Sequence, residues 1–158
     1  MIPVLYPANS TSFTTFGLGT LTDTISCEVT EERNGVFECI LKYPITGQHY
    51  KLIAKERIIK AKPNDTGEPQ AFRIYRITKP LDGVVTVYGQ HISYDLANVP
   101  VMPFYAESRS PSLLLNQLLA GDSRFTGWTD YSEAKEFSVT TPKSVRACLG
   151  GTEGSMLS

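Results

Sequence analysis

Two apolar stretches near the middle of the chain, residues 69–79 and 84–96, are rich in β-branched and aromatic side chains, which favour strands. The segment between them contains Pro80, which fixes φ, and Gly83, which adopts positive φ without strain. Two strand-forming stretches joined by such a turn predict a long β-hairpin. We expect the rest of the fold to be organised around it.

The faces of this hairpin do not separate into one apolar and one polar side. With strict alternation, Phe72 and Ile74 lie on one face, and Tyr75 and Ile77 lie on the other. A sheet with one solvated face would instead alternate apolar and polar residues. The pattern therefore predicts a strand pair covered on both faces. The core of the domain would cover one face of the strand pair. A second layer of the domain, or another subunit, would cover the other face.

A second hairpin is predicted over residues 23–43, because the Asn-Gly pair at 34–35 is a strong turn signal. A three-residue loop at 33–35 gathers the apolar residues of both arms on one face, whereas a two-residue loop scatters them. Its cross-strand pairs are Ile25 with Tyr43, Cys27 with Leu41, and Val29 with Cys39. Cys27 and Cys39 then become diagonal neighbours at about 7–8 Å, beyond disulfide reach, and we expect both in the core.

Three shorter stretches, residues 3–6, 50–54 and 58–61, also predict strands. Basic residues accompany the last two, namely Lys51, Lys55, Arg57, Lys60 and Lys62. One interpretation is a groove for a polyanion. The other, which we favour, is the solvated or edge-protecting face of a strand pair.

The character of the chain changes near residue 104. Residues 110–121 carry the signals of a helix, with Ser110 as N-cap followed by proline, and residues 141–150 repeat them with Thr141 as N-cap. Short strands are predicted between these two helix signals, at 125–129 and 136–139.

The predicted fold class is therefore mainly β with some α. Residues 1–104 are expected to form an antiparallel, β-barrel-like domain, and residues 105–158 the start of a smaller α/β domain. We expect the second domain to be truncated at its C-terminus, and the chain to be part of a longer protein.

Composition adds few constraints. The chain has 158 residues and a formal net charge of −1, which points to neither nucleic acid nor a membrane as partner, and we expect no membrane span and no secretory signal. Three cysteines without C-x-x-C spacing and two histidines far apart in sequence predict no metal site. We also expect no cofactor.

Two sets of residues are candidates for catalysis. Cys148 and His91, oriented by Asp95, could form a nucleophile and base pair, but a cysteine beside helical apolar residues is typical of a core. A carboxylate pair for hydrolysis could come from Glu28, Glu31, Glu32 and Glu38. Alternation instead assigns Glu28 and Glu38 to the polar face of the 23–43 hairpin, so we predict no catalytic residues.

A third possibility is a carbohydrate-binding surface, which requires exposed aromatic side chains. Trp128 and Tyr131 are the only close pair that we would nominate. A tryptophan next to a turn is more typical of the core of a small domain.

Several segments together resemble a known group of proteins, namely residues 27–38, 43–47, 69–75, 88–96 and 149–155. In this order and spacing they resemble the N-terminal region of phage and prophage tail-associated proteins of Gram-positive hosts. These are called minor structural or prophage endopeptidase tail proteins, and they are similar to the baseplate hub protein of contractile-tailed phages.

This resemblance implies a β-barrel domain that trimerises into a ring continuing the tail tube, with a second domain inserted into it. The chain would then be a structural part of the virion tail that carries host-recognition or lytic modules. Its partners would be copies of itself, the distal tail protein and other tail components. Peptidoglycan endopeptidase activity in such proteins resides in a separate C-terminal domain, so the resemblance implies no enzyme here.

The resemblance also suggests where subunits meet. The outward side chains of the central hairpin, Arg73, Tyr75, Ile77 and Tyr88, are our candidates for the subunit interface. The alternatives are a hydrolase of cell-wall peptidoglycan and a cell-wall carbohydrate-binding domain.

Overall fold

The computed structural model describes residues 1–32, 35–64, 66–150 and 156. The strands are β1 (Val4–Tyr6), β2 (Gly19–Thr20), β3 (Ser26–Glu31), β4 (Phe37–Pro44), β5 (Ile58–Ala61), β6 (Gln70–Ile77), β7 (Val84–His91), β8 (Pro100–Val101), β9 (Phe104–Arg109), β10 (Lys135–Val139) and β11 (Lys143–Ser144). The helices are α1 (Pro111–Leu119) and α2 (Val145–Leu149), with 3₁₀ turns at Tyr50–Leu52 and Ile92–Asn98.

The first seven strands form one antiparallel sheet in the order β2-β1-β5-β6-β7-β4-β3. The mainly β fold class is thereby confirmed, and so is the central hairpin, which is β6 and β7. Its two-residue turn has positive φ at both Asp82 (50°) and Gly83 (75°), with Leu81 and Val84 hydrogen-bonded to each other at 2.9 Å. This turn matches the right-handed twist of the flanking strands.

Strict alternation fails in β6 because the strand contains a β-bulge. Ile74 pairs with Gly89 and Arg76 with Tyr88, which leaves Tyr75 as an extra residue. Beyond the bulge the faces exchange, so Ile77 packs against the same core as Phe72 and Ile74. The predicted outward orientation of Ile77 is therefore wrong, and the hairpin has one apolar face rather than two.

The β3–β4 register is the predicted one. Cys27 pairs with Leu41 and Val29 with Cys39, and the Glu32 amide donates to the Val36 carbonyl at 2.8 Å. Ile25 is an exception to the expected apolar face, because it precedes β3 and is exposed. The loop at 33–35 lies in part outside the described residues.

The thiols of Cys27 and Cys39 are closer than the predicted diagonal spacing implies. Their Sγ atoms are 3.5 Å apart, and both cysteines are free thiols. The diagonal spacing of about 7–8 Å refers to the backbone positions of the two residues, and their side chains approach each other across it. Both residues contribute to the core as predicted, with Cys39 buried and Cys27 packed beside it.

One core lies on the inner face of the large sheet. Its buried residues are Leu5, Leu21, Cys39, Leu41, Tyr43, Ile59, Ala61, Phe72, Ile74, Val85 and Val87. They come from β1, the turn after β2, and β4 to β7. Each large apolar side chain removed from water stabilises the fold by about 1.5–3 kcal/mol, so burial of this layer stabilises the sheet.

The basic stretch after β4 does not protect a sheet edge. Residues 50–54 contain a 3₁₀ turn rather than the predicted strand, and β5 lies inside the sheet between β1 and β6. Lys60 Nζ donates to the carbonyl of Phe13 at 2.7 Å, and the Arg57 guanidinium donates to the carbonyl of Leu52. These two basic side chains therefore donate hydrogen bonds to carbonyl groups outside the strands.

Two compact units make up the chain, Met1–Ile92 and Ser93–Ser158. The division falls before residue 104, because β8 pairs with β11 and both Leu96 and Val101 belong to the second core. That core is completed by residues from both helices and β10, namely Leu118, Leu119, Val139, Val145 and Cys148.

In the second unit, some of the elements predicted from local sequence signals are present and others are not. α1 begins after Ser110 as expected, whereas α2 begins after Ser144, whose Oγ accepts from the Ala147 amide at 3.2 Å. Ser144 displaced the predicted cap Thr141 because residues 143–144 pair with β8. No strand forms at 125–129, while the one predicted at 136–139 is part of β10.

A small ion cluster joins two segments of the second unit. Arg124 Nη1 lies 2.7 Å from Asp95 Oδ2, and Arg124 Nη2 lies 2.5 Å from Asp122 Oδ2. All three side chains are at most 15% exposed. The hydrogen bond with Asp122 raises the pKa of Arg124 against the opposing effect of burial.

We predict that Arg124→Ala destabilises the second unit by about 3 kcal/mol, because it leaves two largely buried carboxylates without their cation. Urea unfolding followed by circular dichroism measures the change. Arg109→Ala, at an exposed position on β9, is the matched control and should change stability by no more than about 0.5 kcal/mol. Equal stabilities of the two variants would contradict a structural role for the cluster.

Candidate subunit-contact surface

The side of β3, β4, β6 and β7 opposite the core is a continuous surface, which we call the outer face. Cross-strand pairing arranges its residues in rows. One row runs Arg76, Tyr88, Ile40 and Glu28, and the next runs Arg73, Gln90, Glu38 and Thr30. Because these strands are neighbours in the sheet, each row crosses four strands.

Aromatic and charged side chains contact one another at the centre of the outer face. The Arg76 guanidinium lies 3.7 Å from the centroid of the Tyr88 ring, and the Tyr75 and Tyr88 ring centroids are 6.3 Å apart. The Tyr75 hydroxyl donates to Glu38 Oε1 at 3.4 Å, spanning β7. We call Glu38, Tyr75, Arg76 and Tyr88 the tyrosine–arginine cluster.

The cluster combines partial burial with paired charges. Tyr75 is 37% exposed, and burial, followed by the nearby Glu38 carboxylate, raises the pKa of its phenol. The guanidinium over the Tyr88 ring is a cation–π contact, worth about 0.5–1 kcal/mol at an exposed site. Such a surface presents two aromatic rings whose charged neighbours already have partners.

The four residues proposed for the interface have different positions. Tyr75 and Tyr88 belong to the tyrosine–arginine cluster. Arg73 also lies on the outer face, where its Nη1 donates to the carbonyls of Ala8 at 3.0 Å and Glu56 at 2.7 Å. Ile77 is partly buried and packs against the core. Sequence reasoning missed Arg76, because the bulge at Tyr75 gives no signal in the alternation pattern. It placed Glu38 on the polar face of the 23–43 hairpin but did not connect it with the interface.

The residues considered for nucleophilic catalysis fall in different units, His91 in the first and both Cys148 and Asp95 in the second. His91 stacks on Phe37 with centroids 4.4 Å apart, and its Nε2 is 3.2 Å from Gln70 Oε1. Cys148 is buried in the second unit, and burial raises the pKa of its thiol, the opposite of what a nucleophile needs. Asp95, the proposed orienting group, is an ion partner of Arg124.

The candidate carboxylates are distributed over both faces of the β3–β4 hairpin. Glu28 and Glu38 lie on the outer face as predicted, and Glu38 accepts a hydrogen bond from Tyr75. Glu31 pairs with Phe37, one position along, on the opposite face. Among the described residues, no group of three or more His, Cys, Asp or Glu side chains is arranged to hold a metal ion.

The position of Trp128 differs from the prediction of a core residue. Its side chain is 82% exposed, while three phenylalanines, Phe104, Phe125 and Phe137, fill the space around the second core. Tyr131 is 44% exposed, and its hydroxyl donates to Glu133 Oε2 at 2.6 Å. The second unit thus presents both aromatic side chains to solvent, together with Tyr105, which is 63% exposed.

Comparison with known proteins shows a shared fold. No protein-family model and no curated protein matches the chain. Among solved structures, it is similar to the crystal structure of prophage tail protein gp18 from Listeria monocytogenes EGD-e, with a TM-score of 0.60 and 14% sequence identity. The similarity covers 89% of this chain and 42% of that protein, so the chain spans less than half of its length. The tail-protein fold implied by the sequence resemblance is confirmed.

In the described part of the chain, no helix combines the length and apolar character needed to cross a membrane.

The raised pKa and burial of Cys148 lead to a prediction about its reactivity. In a Cys27→Ser/Cys39→Ser variant, we expect Cys148 to react with iodoacetamide at pH 8 at least about tenfold more slowly in the native state than in urea, because burial excludes the reagent and disfavours the thiolate. Intact-mass spectrometry follows the reaction. Equal rates in the two states would contradict the buried position and revive a nucleophilic role.

Proposed function

We propose that this chain is part of the structural hub of a phage or prophage tail, at the tail tip or baseplate. The observation that supports this most directly is the tail-protein fold extending over 89% of the chain. In this proposal the larger sheet contributes to a homotrimeric ring that continues the tail tube. The hub carries host-recognition or lytic modules and contacts the distal tail protein.

The outer face is the surface we propose for contact between subunits. Tyrosine and arginine are enriched where protein interfaces are most fully buried, and the tyrosine–arginine cluster supplies both. Its charges are partnered within one chain, by Tyr88 under Arg76 and by Tyr75 beside Glu38. Burying it therefore costs less than burying isolated charges. A closed ring would use this patch against a different patch of the next copy.

No catalytic step is part of this proposal. His91 contacts the rings of Phe37 and Phe72, and the Cys148 thiol is buried with a raised pKa. Both are better explained as contributors to packing. In the proposed assembly, cleavage of peptidoglycan belongs to a module that the hub carries in the virion tail.

We predict that the whole gene product is a trimer, and that Tyr75→Asp/Tyr88→Asp weakens its association by about 100-fold, because the two rings are central anchors of the contact. Size-exclusion chromatography with light scattering measures the mass. Tyr105→Asp/Tyr131→Asp, two exposed tyrosines of the second unit, is the matched control and should remain trimeric.

Each outcome of this experiment is informative. A wild-type protein that stays monomeric at high concentration would overturn the ring. A trimer that persists in the Tyr75→Asp/Tyr88→Asp variant would be consistent with the ring, but it would overturn the outer face as the contact surface. Circular dichroism of the two double variants confirms that any loss of association occurs in folded protein.

One observation favours a second candidate function, the binding of cell-wall carbohydrate. Trp128 is 82% exposed, and exposed aromatic rings can stack on the apolar faces of sugars. It is the chain's single tryptophan, so intrinsic fluorescence reports on it alone. A saturable change on adding soluble peptidoglycan fragments, lost in Tyr131→Ala, would support this function. Unchanged fluorescence would exclude sugar stacking at Trp128.

A further inference from the structure

Two thiols face each other between the edge strand of the large sheet and its neighbour. Cys27 on β3 and Cys39 on β4 have their Sγ atoms 3.5 Å apart, in contact but not bonded. The strands are in continuous register on both sides of the pair. The sulfur atoms are therefore brought together by the sheet itself rather than by a mobile loop.

The two cysteines differ in exposure. Cys39 is 1% exposed within the core, whereas Cys27 is half-buried on the last strand of the sheet. A small reagent in solvent therefore meets Cys27 first. The contact with Cys27 and burial both raise the pKa of the Cys39 thiol. We therefore assign the attacking thiolate to Cys27, the more accessible of the two sulfur atoms.

We propose that Cys27 and Cys39 form a redox-active dithiol site, which closes to an intrachain disulfide by exchange with a small-molecule disulfide such as oxidised glutathione. The same site reopens in a reducing thiol buffer. This inference is independent of the proposed role in a phage tail, because it rests on the β3–β4 hairpin alone.

The exchange proceeds in two balanced steps. The Cys27 thiolate attacks one sulfur of the oxidant, forming a mixed disulfide and releasing one thiolate, which takes up a proton. Cys39 then loses its proton and attacks Cys27 Sγ, forming the Cys27–Cys39 bond and releasing the second thiol of the oxidant. Two electrons pass from the protein to the oxidant, which leaves as two thiols.

The alternative of a metal site is less well supported. Two thiolates supply half of the ligands of a tetrahedral zinc site, and no third ligand accompanies them among the described residues. A disulfide needs only the two sulfur atoms. Its consequence is structural, since β3 pairs with β4 alone in the sheet and the bond would tie this edge strand to its neighbour.

The test is oxidation of the native chain with oxidised glutathione in the absence of denaturant. We expect a product lighter by two hydrogen atoms, and non-reducing peptide mapping should link the peptides of Cys27 and Cys39. Closure should be at least about tenfold faster than glutathionylation of the buried Cys148. Added dithiothreitol should restore the original mass.

Three variants complete the design. Cys148→Ser is the matched control and should close like the wild type. Cys27→Ser should react slowly, because Cys39 is buried, and Cys39→Ser should stop at a glutathione adduct on Cys27. Because the wild-type peptide map does not depend on any variant folding, it alone decides the outcome. Lasting glutathionylation of Cys27, a disulfide between chains, or no reaction under native conditions would each overturn the proposal.

Discussion

The large sheet depends on the hydrogen-bond register between β6 and β7, which accommodates one extra residue. The bulge at Tyr75 rotates the strand, so that Phe72, Ile74 and Ile77 all face the core. Without it, Ile77 would lie in solvent and Arg76 would be directed at the apolar layer. Every other strand of the sheet is added to one side or the other of this hairpin.

The bulge also creates the surface to which we assign a function. It places Tyr75 and Arg76 side by side on the outer face, next to Tyr88 and within reach of Glu38. Bulges commonly redirect side chains at functional positions of sheets. One inserted residue therefore has two effects in this chain, a single-sided core and an aromatic patch whose charges are already paired.

A second cross-strand contact lies at the edge of the same sheet. The sulfur atoms of Cys27 and Cys39 are 3.5 Å apart, although the backbone positions of diagonal neighbours are about 7–8 Å apart. Disulfides persist in oxidising surroundings and are reduced in the cytosol. The state of this pair would therefore record which of the two environments the protein has met.

The sequence by itself determined the mainly β class, both hairpins, the β3–β4 register and α1, because these follow from side-chain alternation, turn residues and caps within a few positions of one another. Tertiary structure decided the rest. The start of α2 at Ser144 arises from pairing with the distant strand β8. The bulge at Tyr75 and the sulfur contact lie within the two hairpins, but alternation of apolar and polar residues does not record either of them. The exposure of Trp128 was decided likewise, since three phenylalanines surround the core that it was expected to fill.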